Sequence, residues 1–206
     1  MRLRRRYTGH GLTTYPPGRY FEQVSDLYAG KLFMVIDVSG SMTGRRLQQA
    51  VEGARRLLAR AVAESYLVGV ISFTSTARLE LDLTTDLGAV DRVLSRLRPL
   101  GGTDMSWGIR CGHEILGPRR GERVLAIFSD GETDRETALA AARAARHDGI
   151  KIIATLGGTA DPGFMREVTG DEEEFEVVGD AQIREHIAGL AGRLRPTWSR
   201  RGEYSP

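Results

Sequence analysis

The hydrophobic pattern of the chain switches repeatedly between runs typical of buried strands and spacings typical of amphipathic helices. Apolar runs rich in β-branched and aromatic residues predict strands, whereas apolar residues at steps of three and four predict helices. The predicted strands lie near 31–38, 67–73, 76–83, 122–128, 150–156 and 174–178. The predicted helices lie near 44–64, 86–97, 104–116, 133–147, 162–169 and 180–194. Strands and helices therefore alternate from about residue 30 onwards.

Local patterns refine some of these elements. The segment 76–83 alternates between apolar and polar residues, which predicts a half-exposed edge strand paired with the strand before it. Its apolar positions are Ala77, Leu79, Leu81 and Leu83. Thr133 and Glu136 have the capping-box spacing at the start of their helix, and Gly149 suits its C-terminal cap. The last helix is expected to dock on the sheet through Ile183, Ile187, Leu190 and Leu194.

Alternating strands and helices are typical of α/β domains, and 206 residues suffice for one such domain. We predict a doubly wound, mostly parallel six-stranded sheet of the Rossmann-like type, with helices on both faces. The expected strand order is 3-2-1-4-5-6, with strand 3 as an antiparallel edge. The domain is expected to span residues 30–194, between an N-terminal arm (1–29) and a C-terminal tail (195–206).

Composition narrows the classes of function. A formal net charge of +2 with 41% hydrophobic residues is ordinary for a globular protein, so we expect no nucleic-acid partner and interpret the arginine-rich start as a solvated terminus. The single cysteine, Cys111, excludes an intramolecular disulfide and a cysteine-based zinc site, and is expected to be a small buried residue. No apolar run approaches the roughly 20 residues of a membrane span, and no signal segment is recognised, so we expect a cytoplasmic protein.

Oxygen-bearing side chains gather at the predicted ends of two strands. Asp37, Ser39 and Ser41 follow the first strand, and Asp130 follows the fourth. In the expected order these strands are neighbours at the point where the strand order reverses, which is where ligands bind in open α/β sheets. Thr103 follows a glycine pair in a loop between them in sequence. Two carboxylates and three hydroxyls suit a hard divalent cation and disfavour softer metals that prefer nitrogen or sulfur.

This pattern of Asp-x-Ser-x-Ser, then threonine after a glycine pair, then aspartate at the end of strand four resembles the metal-ion-dependent adhesion site of von Willebrand factor A domains. The resemblance covers about residues 30–194 and is to the bacterial stand-alone type. It implies that the metal ligands, direct or through water, are Asp37, Ser39, Ser41, Thr103 and Asp130. It also implies Mg²⁺, or Mn²⁺ or Ca²⁺, as the ion.

The resemblance further implies a protein-binding function, in which an Asp or Glu of a partner protein binds the metal. Similar small bacterial domains work beside AAA+ ATPases of the MoxR or chelatase type, or in stress-response complexes, so an adaptor is expected. The alternative is an adhesion or ligand-binding domain at a surface. Related domains also couple metal coordination to movement of the last helix, here about 180–194.

Other interpretations stay open at the level of sequence. Ser39 and Ser41 can merely cap the helix 44–64, Asp130 can cap a turn, and the site can be too degenerate to hold metal. The acidic neighbours of the site are interpreted as solvated loop carboxylates; they are Asp104, Glu132 and Asp134. Nucleophile-elbow and P-loop motifs are missing from the sequence, and its histidines fall outside the predicted strand ends. We therefore expect no enzyme, with metal-dependent hydrolysis as the least favoured alternative.

Overall fold

A computed structural model of the chain describes residues 6–7, 13–14, 29–130, 133–157 and 161–194. Its main sheet consists of β1 (Gly30–Asp37), β2 (Tyr66–Phe73), β3 (Ala77–Thr84), β4 (Arg123–Ser129), β5 (Lys151–Gly157) and β6 (Phe175–Val178). The strand order is β3-β2-β1-β4-β5-β6, and every neighbouring pair is parallel except β2 and β3. The predicted fold class and strand order are confirmed.

Helices cover both faces of this sheet. In the described residues they are α1 (Arg45–Ala63), α2 (Leu87–Leu94), α3 (Met105–Leu116), α4 (Arg135–His147), α5 (Pro162–Thr169) and α6 (Ile183–Gly189). Helices α1, α2 and α6 bury their apolar residues in one core cluster, and helices α3, α4 and α5 bury theirs in the other. The sheet therefore separates two cores, as expected of a doubly wound domain.

Strand β1 lies at the centre of the sheet, and all of its residues are buried. Its side chains alternate between the two cores, with Met34 and Ile36 in the first cluster and Phe33 and Val35 in the second. Burial on both faces explains why this strand is a continuous apolar run rather than an alternating one. It also means that Asp37, its last residue, ends the most enclosed strand of the domain.

The edge strand β3 departs from the predicted alternation. Its register with β2 shifts twice, once between the pairs Val68↔Thr84 and Val70↔Leu81 and again between Val70↔Leu81 and Ile71↔Leu79. As a result Leu81 packs against the first core cluster, whereas Ala77 and Leu83 pack against the second. A register shift of this kind exchanges the faces of a strand beyond it. The strand is the half-exposed antiparallel edge strand that was predicted, but its four alternating apolar residues do not share one face.

The predicted capping box at the start of α4 is also wrong. Asp134 caps this helix, because its carboxylate accepts a hydrogen bond from the Thr137 N–H at 2.9 Å. The Thr133 hydroxyl instead accepts a hydrogen bond from the Met105 N–H at 2.9 Å, 28 residues away in the chain. Thr133 therefore ties the start of α3 to the loop before α4. Gly149 lies beyond the end of α4 with a φ of +77°, the conformation predicted for it.

The predicted last helix is divided into three pieces. Helix α6 is flanked by two 3₁₀ turns, Asp180–Gln182 and Leu190–Arg193. Ile183, Ile187 and Leu190 are buried, as expected, in the first core cluster, which the last helix shares with α1. Helices α1 and α6 approach closely at Gly53, where an added Cβ would lie 2.7 Å from the Ile187 Cβ. Helix α6 therefore packs against α1 as well as against the sheet.

The flanking segments are described only in part. The pair Arg6–Tyr7 and Thr13–Thr14 forms a two-residue antiparallel ladder. The rest of the predicted arm up to residue 28 and the tail 195–206 lie outside the described residues, and the domain limits stay a prediction. Within the described residues, no helix combines the length and apolar character needed to cross a membrane. Cys111 is only half-buried and packs beside the second core cluster, so it is less enclosed than predicted.

The contact at Gly53 gives a test of the packing between α1 and α6. We expect Gly53→Ala to lower the free energy of unfolding by up to about 2 kcal/mol, because overpacking costs about 1–3 kcal/mol and the gain in helix propensity is only about 1 kcal/mol. The matched control is Gly189→Ala in α6, where an added Cβ meets no atom within 4 Å. Urea denaturation checks both variants. Equal stability of the two would contradict the close packing.

Candidate metal centre

The centre of the candidate site is the buried carboxylate of Asp37. Its side chain is fully enclosed and accepts a hydrogen bond from the Ser39 N–H on one oxygen, at 2.8 Å. The Ser129 hydroxyl donates to the other oxygen, also at 2.8 Å. Burial raises the pKa of Asp37, although these hydrogen bonds act to lower it. Hydrogen bonds from β4 and from the loop after β1 thus hold the carboxylate in place without a bound ligand.

The hydroxyls of Ser39 and Ser41 lie side by side after β1. Their Oγ atoms are 3.0 Å apart. Ser39 immediately precedes the 3₁₀ turn Gly40–Met42, and Ser41 lies within that turn, which leads towards α1. Neither serine caps α1: the N-cap residue of that helix is Gly44, and no side-chain hydrogen bond caps it. The capping interpretation of these serines is therefore wrong.

Backbone hydrogen bonds hold the loop that carries Thr103 against the loop after β1. The Gly40 N–H donates to the Gly101 carbonyl at 3.0 Å, and the Leu100 N–H donates to the Val38 carbonyl at 2.7 Å. Gly101 has a φ of +74°, which favours glycine at this position. The two loops line a cleft of about 360 Å³ formed by Gly40, Ser41, Gly101, Gly102, Thr103 and Thr133. Thr103 and Ser41 therefore face the same small space.

Asp130 closes the site from the end of β4. Its side chain is only 6% exposed, and its Oδ2 lies 3.7 Å from the Nη1 of Arg46. The same Nη1 donates a hydrogen bond to the Ser41 carbonyl at 3.4 Å. The negative charge of Asp130 also acts to raise the pKa of Asp37. A cation placed between the two carboxylates would offset this repulsion.

The donor set fits a hard divalent ion. Asp37 and Asp130 supply two negative charges in a largely buried place, and three hydroxyls lie on the two adjoining loops. The described residues contain no group of three or more His, Cys, Asp or Glu side chains able to hold a metal. The candidate set has only two such residues and depends on its hydroxyls. Oxygen donors of this kind suit Mg²⁺, Mn²⁺ or Ca²⁺.

Sequence reasoning missed three residues that shape the site. Ser129 bonds Asp37, Arg46 pairs with Asp130, and Thr133 lines the cleft. Ser129 adjoins Asp130 at the strand end, so its position was a usable signal. Arg46 lies in the helix that follows the Asp-x-Ser-x-Ser motif and is not part of that motif, and the sequence around Thr133 predicts a capping box instead of a place in the cleft.

Two acidic neighbours of the site and two of the histidines have structural partners in the described residues. Asp104 caps α3 by accepting from the Ser106 N–H at 2.9 Å, and Asp134 caps α4. Both carboxylates are therefore used as helix caps. Glu132 lies outside the described residues. His113 and His147 both bond the carboxylate of Asp148 at the far end of α4.

The raised pKa of Asp37 predicts a pH-dependent cost in the metal-free protein. The unfolded chain ionises this residue more readily than the folded chain, so its contribution to stability falls as pH rises above the usual range for aspartate. We expect Asp37→Asn to be more stable than wild type at pH 7 in EDTA, because the amide is not ionised and avoids the cost of a buried charge. The amide can accept from the Ser39 N–H and donate to the Ser129 hydroxyl.

Thermal unfolding at pH 7 and at pH 3.5 checks this expectation, with the exposed Asp91→Asn on α2 as the control for loss of one charge. The advantage of Asp37→Asn should shrink at the lower pH, where the wild-type carboxyl is protonated in most folded molecules and in most unfolded ones. A variant that is less stable than wild type by the same amount at both pH values would contradict the sign of the shift.

Comparisons with known proteins agree with this architecture. Residues 32–133, which include all five candidate ligands, match the family model for the von Willebrand factor type A domain. Human calcium-activated chloride channel regulator 4 is 30% identical over 161 residues, 72% of this chain but 17% of that protein. The magnesium-chelatase 60 kDa subunit of Cereibacter sphaeroides is 29% identical over 150 residues, 70% of this chain and 26% of that protein. The chain thus spans a small part of each curated relative.

Solved structures show the same fold at low sequence identity. The vWF domain of the type V pili tip protein Mfa5 from Porphyromonas gingivalis aligns with a TM-score of 0.73 and 13% identity, over 81% of this chain and 95% of that chain. Identity at this level shows the fold alone. Together with the family match and the strand order, it leads to the conclusion that this chain contains a von Willebrand factor type A domain.

Proposed function

We propose that the protein is a divalent-metal-dependent protein-binding module that recognises a carboxylate of a partner protein. The observation that carries the proposal is the buried pair Asp37 and Asp130 beside three hydroxyls at the switch point of the sheet. Carboxylates in so enclosed a place cost free energy unless a cation or other partners compensate them. Domains of this family are generally interaction modules rather than enzymes.

The proposed ligands divide into two kinds. Ser39, Ser41 and Thr103 would offer neutral hydroxyl oxygens from the two loops, while Asp37 and Asp130 would bind directly or through water. Mg²⁺ is the expected ion, with Mn²⁺ or Ca²⁺ as substitutes, because all five groups are oxygen donors. When bound, such an ion supplies a Lewis-acidic centre that accepts a carboxylate oxygen of a partner. The chain's own residues fix where that oxygen can approach.

The cleft defines that approach. Gly101 and Gly102, which line the cleft beside Thr103, have no side chains. The cleft is therefore open to an incoming Asp or Glu side chain. Leu100 and Trp107, 74% and 44% exposed, lie just before this loop and in the first turn of α3. Exposed apolar residues beside a polar centre are typical of protein-binding surfaces. The partner is therefore expected to present an acidic residue next to apolar ones.

As to the process it serves, we propose a cytoplasmic adaptor, of the bacterial stand-alone type, that works with an AAA+ ATPase or a stress-response complex. The similarity to a subunit of magnesium chelatase supports a role beside a larger assembly. The alternative is a role in adhesion at a cell surface. It is suggested by the structural likeness to a pili tip domain, which concerns the fold alone. Locating the native protein by cell fractionation separates the two, because export favours adhesion.

Manganese titration monitored by electron paramagnetic resonance tests the metal site itself. We expect one Mn²⁺ site in the wild type, no detectable site in Asp37→Ala, and binding about tenfold or more weaker in Thr103→Ala, since loss of a ligand or its support typically costs 10–100-fold. Mg²⁺ should compete.

The charge-matched control for the aspartate variant is Asp91→Ala, at an exposed carboxylate on α2 that pairs with Arg55. It should bind Mn²⁺ like the wild type. Equal binding by Asp37→Ala and wild type would overturn the proposed function.

A further inference from the structure

We infer that Arg46 is a positioning residue that acts as an internal counter-cation of the metal centre: it holds Asp130 in the metal-free protein and lowers the affinity of the site for divalent ions. This inference rests on the proposed function. It concerns a residue outside the adhesion-site motif, on the helix that follows it.

The geometry places the guanidinium of Arg46 at the edge of the ligand set. Its Nη1 lies 3.7 Å from the Asp130 Oδ2 and donates to the Ser41 carbonyl at 3.4 Å. The side chains of the pair are 25% and 6% exposed, so solvent screens their interaction less than that of a surface pair. Arg46 thus contacts two of the loops that would surround an ion.

The local sequence gives no helix-stabilising reason for this arginine. Arg45 and Arg46 begin α1, whose N-cap is Gly44, and the first turn contains no acidic residue. Cations at a helix N-terminus oppose the helix dipole and are unfavourable by a few tenths to about 1 kcal/mol. The ion pair with Asp130 offsets this effect for Arg46. The position therefore serves the site rather than the helix.

The fold also leaves room for the side chain to reach the site. An added Cβ at Gly157, the last residue of β5, would lie 3.9 Å from the Arg46 Cδ. The arginine stem accordingly runs beside the end of β5 on its way from α1 to the end of β4. At that distance an added Cβ would make only an ordinary van der Waals contact with the arginine stem.

The positive charge of Arg46 changes the net charge of the metal centre. Asp37 and Asp130, when ionised, together with Arg46 carry one net negative charge, so a divalent ion would leave these three side chains and the ion with one positive charge. Without the arginine, the ion and the two carboxylates would sum to zero. The extra positive charge opposes metal binding and is balanced when a partner supplies a single carboxylate. Arg46 therefore favours the ternary arrangement over metal binding alone.

The test compares Mn²⁺ affinity, by electron paramagnetic resonance, in wild type, Arg46→Gln and Arg46→Lys. Removing a unit charge this near the ion should tighten Mn²⁺ binding about three- to tenfold. Arg46→Lys keeps the charge and should stay within about threefold of wild type. The matched control is Arg45→Gln, which removes the same charge from an exposed neighbour and should change the affinity less than about twofold. Thermal unfolding in EDTA verifies that each variant is folded.

The outcomes separate the two proposals. Tighter binding by Arg46→Gln alone supports the counter-cation. Unchanged or weaker binding by Arg46→Gln, or an equal gain in Arg45→Gln, overturns it while the metal site stands. Absence of Mn²⁺ binding in the wild type, equal to that of Asp37→Ala, overturns the proposed function and the role of Arg46 with it.

Discussion

The two hydrogen bonds to the buried Asp37 carboxylate are the interaction on which the rest of the site depends. One comes from the Ser39 backbone immediately after β1, and the other from the hydroxyl of Ser129, which lies 92 residues after Asp37 at the end of β4. They join the two central strands at the place where the strand order reverses. An aspartate so deeply enclosed is a cost to the fold, and its environment lowers that cost without removing it. A divalent cation would complete the compensation.

The surrounding loops are organised around that carboxylate by backbone contacts rather than by side chains. The bonds from Gly40 to Gly101 and from Leu100 to Val38 fix the threonine loop against the serine loop, and the Asp104 N–H donates to the Thr74 carbonyl at the end of β2. Because these contacts belong to the main chain, the ligand hydroxyls can vary without moving the loops. The site is in this sense preorganised, and Arg46 supplies a cationic side chain beside Asp130.

The sequence predicted the fold well because its periodicities are local. Buried runs such as β1 and the stripe of α1 can be identified from spacing alone, and the strand-end positions of the aspartates follow from them. Contacts between distant segments could not be predicted in this way. The bonding of Thr133 to Met105, the pairing of Arg46 with Asp130 and the register shift beside Leu81 all depend on which elements become neighbours. The metal-binding roles of the five candidate ligands stay a prediction.

The central claim is that one divalent ion binds between Asp37 and Asp130. Anomalous diffraction from crystals grown with saturating Mn²⁺ measures the position of that ion directly. The account predicts a single strong peak enclosed by the two aspartates and by the hydroxyls of Ser39, Ser41 and Thr103. A peak at another carboxylate cluster, or none at this position with Mn²⁺ bound elsewhere, would contradict it.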